Sequence, residues 1–476
     1  MKLRNILTMI CVALALVANA QLQFTGNDHP LYEEAPAANT GLNKIYVLYD
    51  TNGVGMTYTA DTENPVKWYI YGELGGGYAE ELTNITQDGL TTTLAQVVPN
   101  KGYIVEEGTS RLYVWVVNYA DYRLQLNGIS VDSDGDCGTV TLNVDGSGPD
   151  IAYFTINGVR KVLDRGITLS YNNLAWAPDE EDGSNNKTDI GDDDDEEEEE
   201  EDVIDPRWIE KLIEENEETF KPVIVIPAPT ENTTFTLTGD RFLKLWGEEQ
   251  SVESNTYNTA AIDVRCVVVQ EERNHDNEKK TQGGDGLGGS APAHITFTAY
   301  CTDAVVHKEW QMSRDIEFGN IELQLMQDQV DQVFEQEGIY YWRFYATNAQ
   351  GTCEYWSDVY TVNIGESELV CPNVFTPGTS PGVNDVWKVS YRSIVKFRCD
   401  IFNKWGNHII TLDEPSQGWD GTYHGKQVPA GVYYYVIEAQ GSDGRKYKKS
   451  GDINIIRYKR IDHGTTGGNG TVLGDE

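Results

Sequence analysis

Short runs of β-branched and aromatic residues, parted by glycine, asparagine and aspartate, recur along almost the whole chain. From Asn43 to Trp176 these runs are spaced as an antiparallel sandwich requires, with turn pairs such as Asn127-Gly128 and Asp145-Gly146 between them. A chain of 476 residues is too long for one core and suits domains of ~100–200 residues each. The pattern predicts an all-β protein of serial β-sandwich modules.

The N-terminus has the features of a secretory signal peptide. Lys2 and Arg4 precede an apolar run from Ile6 to Val17, which ends at Ala18-Asn19-Ala20. We therefore predict a signal peptide at 1–20 that is cleaved before Gln21. Later stretches fall short of the ~18 apolar residues that a helix needs to span a bilayer, so we expect no direct membrane span.

Secretion permits disulfide bonds among the cysteines of the mature chain. Their spacing is too wide for a zinc site, which needs clustered ligands. Cys266, Cys301 and Cys353 fall in one β-rich region, so we predict one disulfide among these three. Unpaired buried thiols are the alternative.

A run of acidic residues interrupts the strand pattern. Every residue from Asp192 to Asp202 is Asp or Glu, and such a run cannot collapse into a core. Pro206 follows a capping aspartate, and Trp208 and Leu212 are spaced as on a helix. We predict a disordered acidic linker at 179–221 that carries one short helix. Its role is that of a spacer or, alternatively, of a docking strip for a basic partner.

The linker is predicted to separate an N-terminal β-sandwich module at 21–178 from a second module at 222–366. In the second module, the segment Gly338–Phe344 resembles the tyrosine-containing strand that closes immunoglobulin-like sandwiches of the polycystic-kidney-disease (PKD) type. Trp310 is expected to be its core tryptophan. The polar, glycine-rich connection from Glu271 to Ala291 is predicted to be a mobile surface loop.

Two motifs that suggest chemistry lack the context they need. The segment Gly378–Gly382 fits a hydrolase Gly-x-Ser-x-Gly pattern, but Pro381 disfavours the helix that must follow the serine. The acidic turn that begins at Asp132 lacks the glycine and the final glutamate of a calcium loop. We expect no enzyme activity, cofactor or metal. The net charge of -40 also argues against nucleic-acid binding.

The charge balance reverses at the C-terminus, since residues 370–460 hold more basic than acidic side chains. Strand runs and tight turns there predict a small antiparallel sandwich. Trp405 and Trp419 are expected to be core aromatics. The recurring blocks of this segment contain Phe375, Thr376, Pro377, Asn384, Asp385, Phe402, Asn403, Trp405, Gly406, Gly418, Trp419, Asp420, Gly421, Gly431 and Tyr433.

This ordered series resembles the gliding-motility-associated C-terminal domain of Bacteroidetes, the type B sorting signal of the type IX secretion system. The resemblance implies a sorting domain at 367–460, followed by a flexible tail at 461–476, with the residues above as its sorting motif. It also implies passage across the outer membrane to the cell surface or the medium. The implied partners are the secretion translocon and outer-membrane components. The loop after Pro377 departs from the acidic loop of the family, which weakens any cation site there.

Two classes of function follow from these features. In the first, the chain is a non-enzymatic surface protein, a structural or signalling component of the secretion system. In the second, it is a cargo adhesin that binds other surface proteins or glycans.

Overall fold

The structure, a computed structural model, describes residues 22–132, 136–177, 206–279, 286–379 and 382–457. The predicted signal peptide, the acidic run and the predicted tail lie outside these residues. Almost all regular secondary structure in the described residues is β-strand. The chain forms two compact units, 1–261 and 262–476. No helix within the described ranges is long and apolar enough to cross a membrane. The prediction of an all-β protein of serial sandwiches is confirmed.

The N-terminal unit begins with a sandwich that we call module 1. Its strands are β1 (Leu22–Thr25), β2 (Tyr32–Glu34), β3 (Lys44–Leu48), β4 (Gly55–Thr59), β5 (Val66–Tyr71), β6 (Glu80–Glu81), β7 (Ile85–Asp88), β8 (Thr91–Leu94), β9 (Lys101–Glu107) and β10 (Ser110–Asn118). They form a four-stranded sheet, β1-β4-β8-β7, and a six-stranded sheet, β2-β3-β10-β9-β5-β6. Between the sheets, the buried Trp68 donates its indole N–H to the Thr92 hydroxyl at 2.9 Å.

Strand β10 is apolar on both faces, which shows that its sheet is covered on both sides. Val114 and Val116 point into the core of module 1. Trp115 and Val117 point the other way, into a second core that continues into the next sandwich. The two sandwiches of this unit therefore share an apolar core.

The second sandwich, module 2, contains the strands that precede and follow the acidic run in the sequence. Its elements are β11 (Gln125–Val131), β12 (Thr139–Ser147), β13 (Ala152–Phe154), β14 (Arg160–Val162), β15 (Ile167–Trp176), β16 (Trp208–Glu217), β17 (Val223–Pro227), β18 (Thr236–Gly239), α1 (Arg241–Leu245) and β19 (Gln250–Glu253). Its two main sheets have the orders β11-β12-β17 and β16-β15-β18-β19.

The predicted helix in the acidic linker is wrong, because residues Trp208–Glu217 form strand β16. All ten residues pair antiparallel with β15, and the rings of Trp176 and Trp208 meet at 5.2 Å where this ladder ends. Ile213 packs against the core, whereas Leu212 is 59% exposed. A ready strand partner outweighs the weak local preference for a helix.

The structure also places the module boundaries differently from the sequence prediction. Strands before and after the acidic run belong to the same sheets, since β12 pairs with β17 and β15 pairs with both β16 and β18. The acidic run is therefore an insertion within module 2 rather than a linker between modules. Composition identifies a segment that cannot join a core, but it does not tell whether the flanking strands pair with each other.

A buried ion pair in module 2 is hydrogen-bonded to the end of module 1. Arg165 and Asp240 are fully buried, and their charged groups lie 2.9 Å apart. Tyr119, at the end of module 1, donates its hydroxyl to the Asp240 carboxylate at 3.0 Å. The same carboxylate accepts the backbone N–H of Leu243 and so caps helix α1. The Asp240 carboxylate thus binds groups of both modules.

Replacing Asp240 with alanine should destabilise the N-terminal unit by about 3–5 kcal/mol, because Arg165 would keep a buried charge without its partner. Urea unfolding of the mature chain measures this loss. The control is Glu33→Ala, which breaks the exposed ion pair with Lys44 and should cost less than about 1 kcal/mol. Equal losses in the two variants would contradict the assignment.

The C-terminal unit begins with a sandwich that we call module 3. Its strands are β20 (Val264–Gln270), β21 (Leu287–Gly289), β22 (Ala293–Cys301), β23 (Val305–Ser313), β24 (Leu323–Leu325), β25 (Gln329–Phe334), β26 (Gly338–Asn348), β27 (Glu354–Trp356) and β28 (Tyr360–Ile364). One sheet has the order β20-β22-β25 and the other β21-β28-β26-β23-β24, with β27 on β26. Trp310 is fully buried, as predicted, and the Tyr340 hydroxyl donates to the Gln336 carbonyl at 2.9 Å, a tyrosine corner.

The glycine-rich connection of module 3 is more ordered than predicted. Leu287–Gly289 pairs in parallel with β28, and Gly288 lies so close to the backbone of Asn363 that a Cβ would meet its carbonyl oxygen at 2.4 Å. Glycine here permits close approach of two strands. The prediction of a mobile loop over the whole segment is wrong for these residues.

The predicted disulfide among Cys266, Cys301 and Cys353 is also wrong. Cys353 is disulfide-bonded, as is Cys137, whereas Cys266 and Cys301 are thiols. Burial is the main cause that raises the pKa of Cys266 to about 12 and that of Cys301 to about 11. A disulfide needs two cysteines whose Cα atoms lie close together in the fold, and proximity in sequence does not ensure this.

Cys399 of the C-terminal region should resist alkylation in the native protein. Burial raises the pKa of its thiol to about 12, so the reactive thiolate is scarce at pH 8. Iodoacetamide followed by peptide mass spectrometry should find Cys399 unmodified in the native chain and modified in urea. Rapid alkylation of the native protein at this position would contradict its placement in the core.

The last module contains β29 (Glu368–Val370), β30 (Val374–Phe375), β31 (Trp387–Lys388), β32 (Ser390–Arg392), β33 (Ile394–Asn403), β34 (His408–Leu412), β35 (Gly418–Trp419), β36 (Thr422–Tyr423), β37 (Lys426–Gln427), β38 (Gly431–Gly441) and β39 (Lys446–Ile455). A five-stranded sheet, β30-β39-β38-β33-β34, is its main layer. The pairs β29-β32, β31-β35 and β36-β37 complete the module.

Candidate functional site

Three of the predicted motif residues form the aromatic centre of the last module. Phe375, Trp419 and Tyr433 are at most 7% exposed. The ring of Trp419 lies 5.5 Å from that of Phe375 and 5.1 Å from that of Tyr433. Its indole N–H donates to the Thr422 carbonyl at 2.8 Å. These residues hold strands β30, β35 and β38 together, and the prediction that Trp419 is a core aromatic is confirmed.

A second group of motif residues shapes the turns around this centre. The Asp420 carboxylate accepts the backbone N–H and the hydroxyl of Thr422, at 2.9 and 2.7 Å. Gly421 has a positive φ of 77°, and a Cβ there would lie 3.2 Å from Pro377. A Cβ on Gly418 would contact the backbone of Trp387 at 3.0 Å, so close strand pairing favours glycine. These residues allow the tight turns and the close strand pairing of this module.

The loop that begins at Thr376 is closed by hydrogen bonds that its backbone N–H groups donate. Thr376 donates its N–H to the Asn384 carbonyl at 2.9 Å. The Asp385 carboxylate accepts the N–H groups of Gly378 and Gly382, at 2.8 and 2.7 Å. This carboxylate is thus bound to the loop itself. In the ranges that the structure describes, no group of three His, Cys, Asp or Glu side chains could hold a metal ion.

The motif residues Asn403 and Gly406 build the turn between β33 and β34. The Asn403 side-chain oxygen accepts the N–H groups of Trp405 and Asn407, both at 3.0 Å. Gly406 has a positive φ of 81° and donates its N–H to the Asn403 carbonyl at 2.9 Å. Phe402, just before the turn, lies opposite Tyr434 of β38. Four hydrogen bonds, counting that from the Asn403 N–H to the Asn407 carbonyl, hold this turn in one conformation.

The prediction that Trp405 is a core aromatic is wrong, because its residue is 75% exposed. It lies at the tip of the turn, beyond the strands that cover the core. The ammonium of Lys404 lies 4.6 Å from the ring centroid. The turn therefore presents a large apolar ring to solvent.

A groove of about 770 Å³ lies beside this tryptophan. We call it the Trp405 groove, and it is lined by Asn403, Lys404, Trp405, Asn407, His408, Ile409, Tyr423, Val428, Pro429, Ala430, Gly431, Val432, Tyr433 and Tyr434. No carboxylate is among these lining residues, and the ionisable groups besides the tyrosines are Lys404 and His408. Its volume is in the range of sites that bind ligands or side chains of a partner.

Four of the lining residues belong to the predicted sorting motif, namely Asn403, Trp405, Gly431 and Tyr433. The other lining residues were not predicted from the sequence. Tyr434 is 46% exposed, whereas its neighbours Tyr433 and Tyr435 are buried. The period of two along a strand predicts this difference, so Tyr434 could have been assigned to the outer surface from the sequence. His408 begins the strand that follows the Trp405 turn, whereas Tyr423 comes from another hairpin, and nothing in the sequence places Tyr423 beside Trp405.

The connection predicted to be mobile instead contacts the last module. His275 bonds through Nδ1 to the Tyr391 hydroxyl at 2.9 Å. The Asn277 amide donates to the carbonyls of Val389 and Pro415, both at 2.8 Å. These contacts attach module 3 to the last module within the C-terminal unit.

Comparison with known protein families assigns two parts of the chain. Residues 369–455 match the CHU_C type IX secretion signal domain. Residues 129–206 and 197–254, in module 2, match a fibronectin type III domain. No curated protein sequence matches the chain significantly.

Three solved structures are similar to the chain at low identity. The three N-terminal domains of the Highly Immunogenic Outer Capsid protein of bacteriophage RB49 share 9% identity, with a TM-score of 0.21 over 70% of this chain and 100% of that one. Dimeric latent PorU from Porphyromonas gingivalis shares 8%, with a TM-score of 0.18 over 73% and 35%. The fibronectin(III)-like modules of CbhA from Clostridium thermocellum share 11%, with a TM-score of 0.17 over 40% and 95%. At these TM-scores none of them bears on the activity of the chain.

The fold and the family matches define a secreted protein of serial β-sandwiches that ends in a sorting domain. In particular, the type IX secretion signal domain at residues 369–455 implies that the chain is exported as cargo of the type IX secretion system. Its signal domain interacts with the secretion machinery and directs export across the outer membrane, to the cell surface or the extracellular space.

Proposed function

We propose that this protein is a non-enzymatic component of the cell surface with a structural or signalling role in the type IX secretion system. In this role the sorting domain delivers the chain, and modules 1 to 3 present surfaces to other proteins of the system. The partners are the translocon and outer-membrane components that export brings into reach.

The observation that carries the proposal is the use of polar side chains to join modules within each unit. Among the described residues, Arg165 and Asp240 are the charged residues with the least exposure, and the Asp240 carboxylate joins module 2 to Tyr119 of module 1. In the C-terminal unit, His275 and Asn277 join module 3 to the sorting domain. These side chains keep modules in register, which suits a protein that holds binding surfaces at defined spacing.

A deletion strain tests the proposal. Loss of the gene should lower the export of other type IX cargo, and the full chain should restore it. The matched control is an unrelated carrier protein fused to residues 365–476, which is exported in the same way but lacks modules 1 to 3. Restoration by this carrier would contradict a role for the modules.

Cross-linking in intact cells, followed by purification of the tagged chain, identifies the partners. Enrichment of secretion-system proteins relative to the fused carrier supports the proposal. Recovery of surface or host glycans in their place would favour an adhesin. Turnover of such a polymer by the purified chain would contradict a non-enzymatic role.

A further inference from the structure

The motif residues of the sorting domain differ sharply in exposure, and this difference separates two roles. Phe375 and Trp419 are at most 1% exposed, so they act on recognition only through the stability of the domain. Trp405 is 75% exposed and contributes little to the core. An exposed tryptophan costs solubility and adds little stability, so its presence in the motif points to an external contact.

The turn holds Trp405 in position before any partner arrives. Its backbone N–H is bonded to the Asn403 side chain at 3.0 Å, and Gly406 closes the turn with a second bond at 2.9 Å. A partner therefore loses little free energy in ordering the backbone of this segment. Rigid, exposed aromatic residues are the typical anchors of protein interfaces.

The Trp405 groove has the composition of an interface core. Tyr423, Val432 and Tyr434 are each between 41% and 46% exposed and supply apolar surface. Lys404 places a positive charge at the groove, and no carboxylate lines it. A protein segment with apolar side chains and a neighbouring carboxylate complements both properties.

We propose that the Trp405 groove is the surface through which the secretion machinery binds the sorting domain. A segment of a machinery protein places apolar side chains in the groove against Trp405, and one of its carboxylates pairs with Lys404. This inference rests on the export role of the domain and does not depend on the structural or signalling role of modules 1 to 3. The family match implies that the machinery contacts this domain, and the groove is a surface of the domain with exposed apolar side chains.

The first test is the variant Trp405→Ala in the full chain. We expect its surface fraction to fall about tenfold or more, with a matching rise in the periplasm, while its melting temperature stays close to that of the wild type. The control is Tyr78→Ala, which removes a ring of similar exposure, 72%, from module 1 and should leave export unchanged. Normal export of a folded Trp405→Ala protein overturns the proposal.

The second test identifies what occupies the groove. Photoreactive benzoylphenylalanine in place of Tyr423, at the rim of the groove, should cross-link in cells to a protein of the secretion system. The cross-link should disappear when Trp405→Ala is added. Cross-linking only to a second copy of this chain, only to a glycan, or to nothing overturns the proposal.

The Lys404→Glu variant examines the charge contact. Reversal of the charge should lower export, as Trp405→Ala does, but by a smaller factor. An ion pair at an exposed position contributes less to binding than a ring that becomes buried in the complex. Export that is unchanged or improved would contradict an acidic partner. A deletion strain rescued normally by Trp405→Ala, together with a failure of the fused carrier to rescue, would overturn this inference alone and leave the function proposed for modules 1 to 3 intact.

Discussion

Deleting residues 369–455 is expected to leave the protein in the periplasm and to abolish its appearance at the cell surface. The matched signal domain occupies these residues, and export across the outer membrane depends on it. The buried core residues of modules 1 to 3 all lie outside the deleted segment, although the deletion removes Val395, which packs against the core of module 3. Cell fractionation and protease treatment of intact cells measure the two populations.

The control for this deletion is removal of residues 461–476, which lie beyond the matched domain. Because these residues follow strand β39, the folded sorting domain should persist, and export should continue. Normal surface display of the chain without residues 369–455 would show that another part of the protein directs export.

Replacing Trp419 with alanine should unfold the sorting domain. The side chain is 1% exposed and packs against Phe375 and Tyr433, so the substitution leaves a large cavity and removes much apolar contact. The expected loss is about 3–5 kcal/mol, a large share of the stability of a domain of this size. Thermal unfolding followed by circular dichroism should show an early transition for this domain, and export should fail with it.

The comparison with Trp419→Phe separates the contribution of ring packing from that of the indole N–H hydrogen bond. Phenylalanine keeps a ring in the cavity but loses the indole N–H bond to Thr422, so the loss should be smaller and export should partly survive. Trp405→Ala should leave the melting temperature close to that of the wild type, since that ring is exposed. Wild-type melting of Trp419→Ala would contradict the core assigned here.

Local periodicity was sufficient to predict much of the architecture. Alternating aromatic residues at Tyr433 and Tyr435, and the long aromatic strand that contains Trp342, identify strands because period two depends only on neighbouring residues. Trp310 was correctly placed in a core because its module resembles immunoglobulin-like sandwiches, which have a core tryptophan. The sorting domain was found from an ordered series of motif residues, which is also a property of the sequence.

Contacts between distant residues were not predictable in this way. The strand Trp208–Glu217 satisfies a helical spacing, but its partner Ile167–Trp176 lies on the far side of the acidic run. The groove needs Trp405 from one turn and Tyr423 from another hairpin. Trp405 and Trp419 both stand in short motifs rich in glycine and polar residues, and those motifs do not tell a turn tip from a paired strand.

Strand period, turn chemistry and motif order are local properties, so they sufficed to predict that the chain is all-β, that it is modular and that it ends in a sorting domain. The insertion of the acidic run within module 2, the burial of Trp419, the exposure of Trp405 and the lining of the groove follow from the folded structure. The physical reason is that strand pairing and burial depend on residues far apart in the chain, whose meeting lowers the free energy only once the whole sheet has formed.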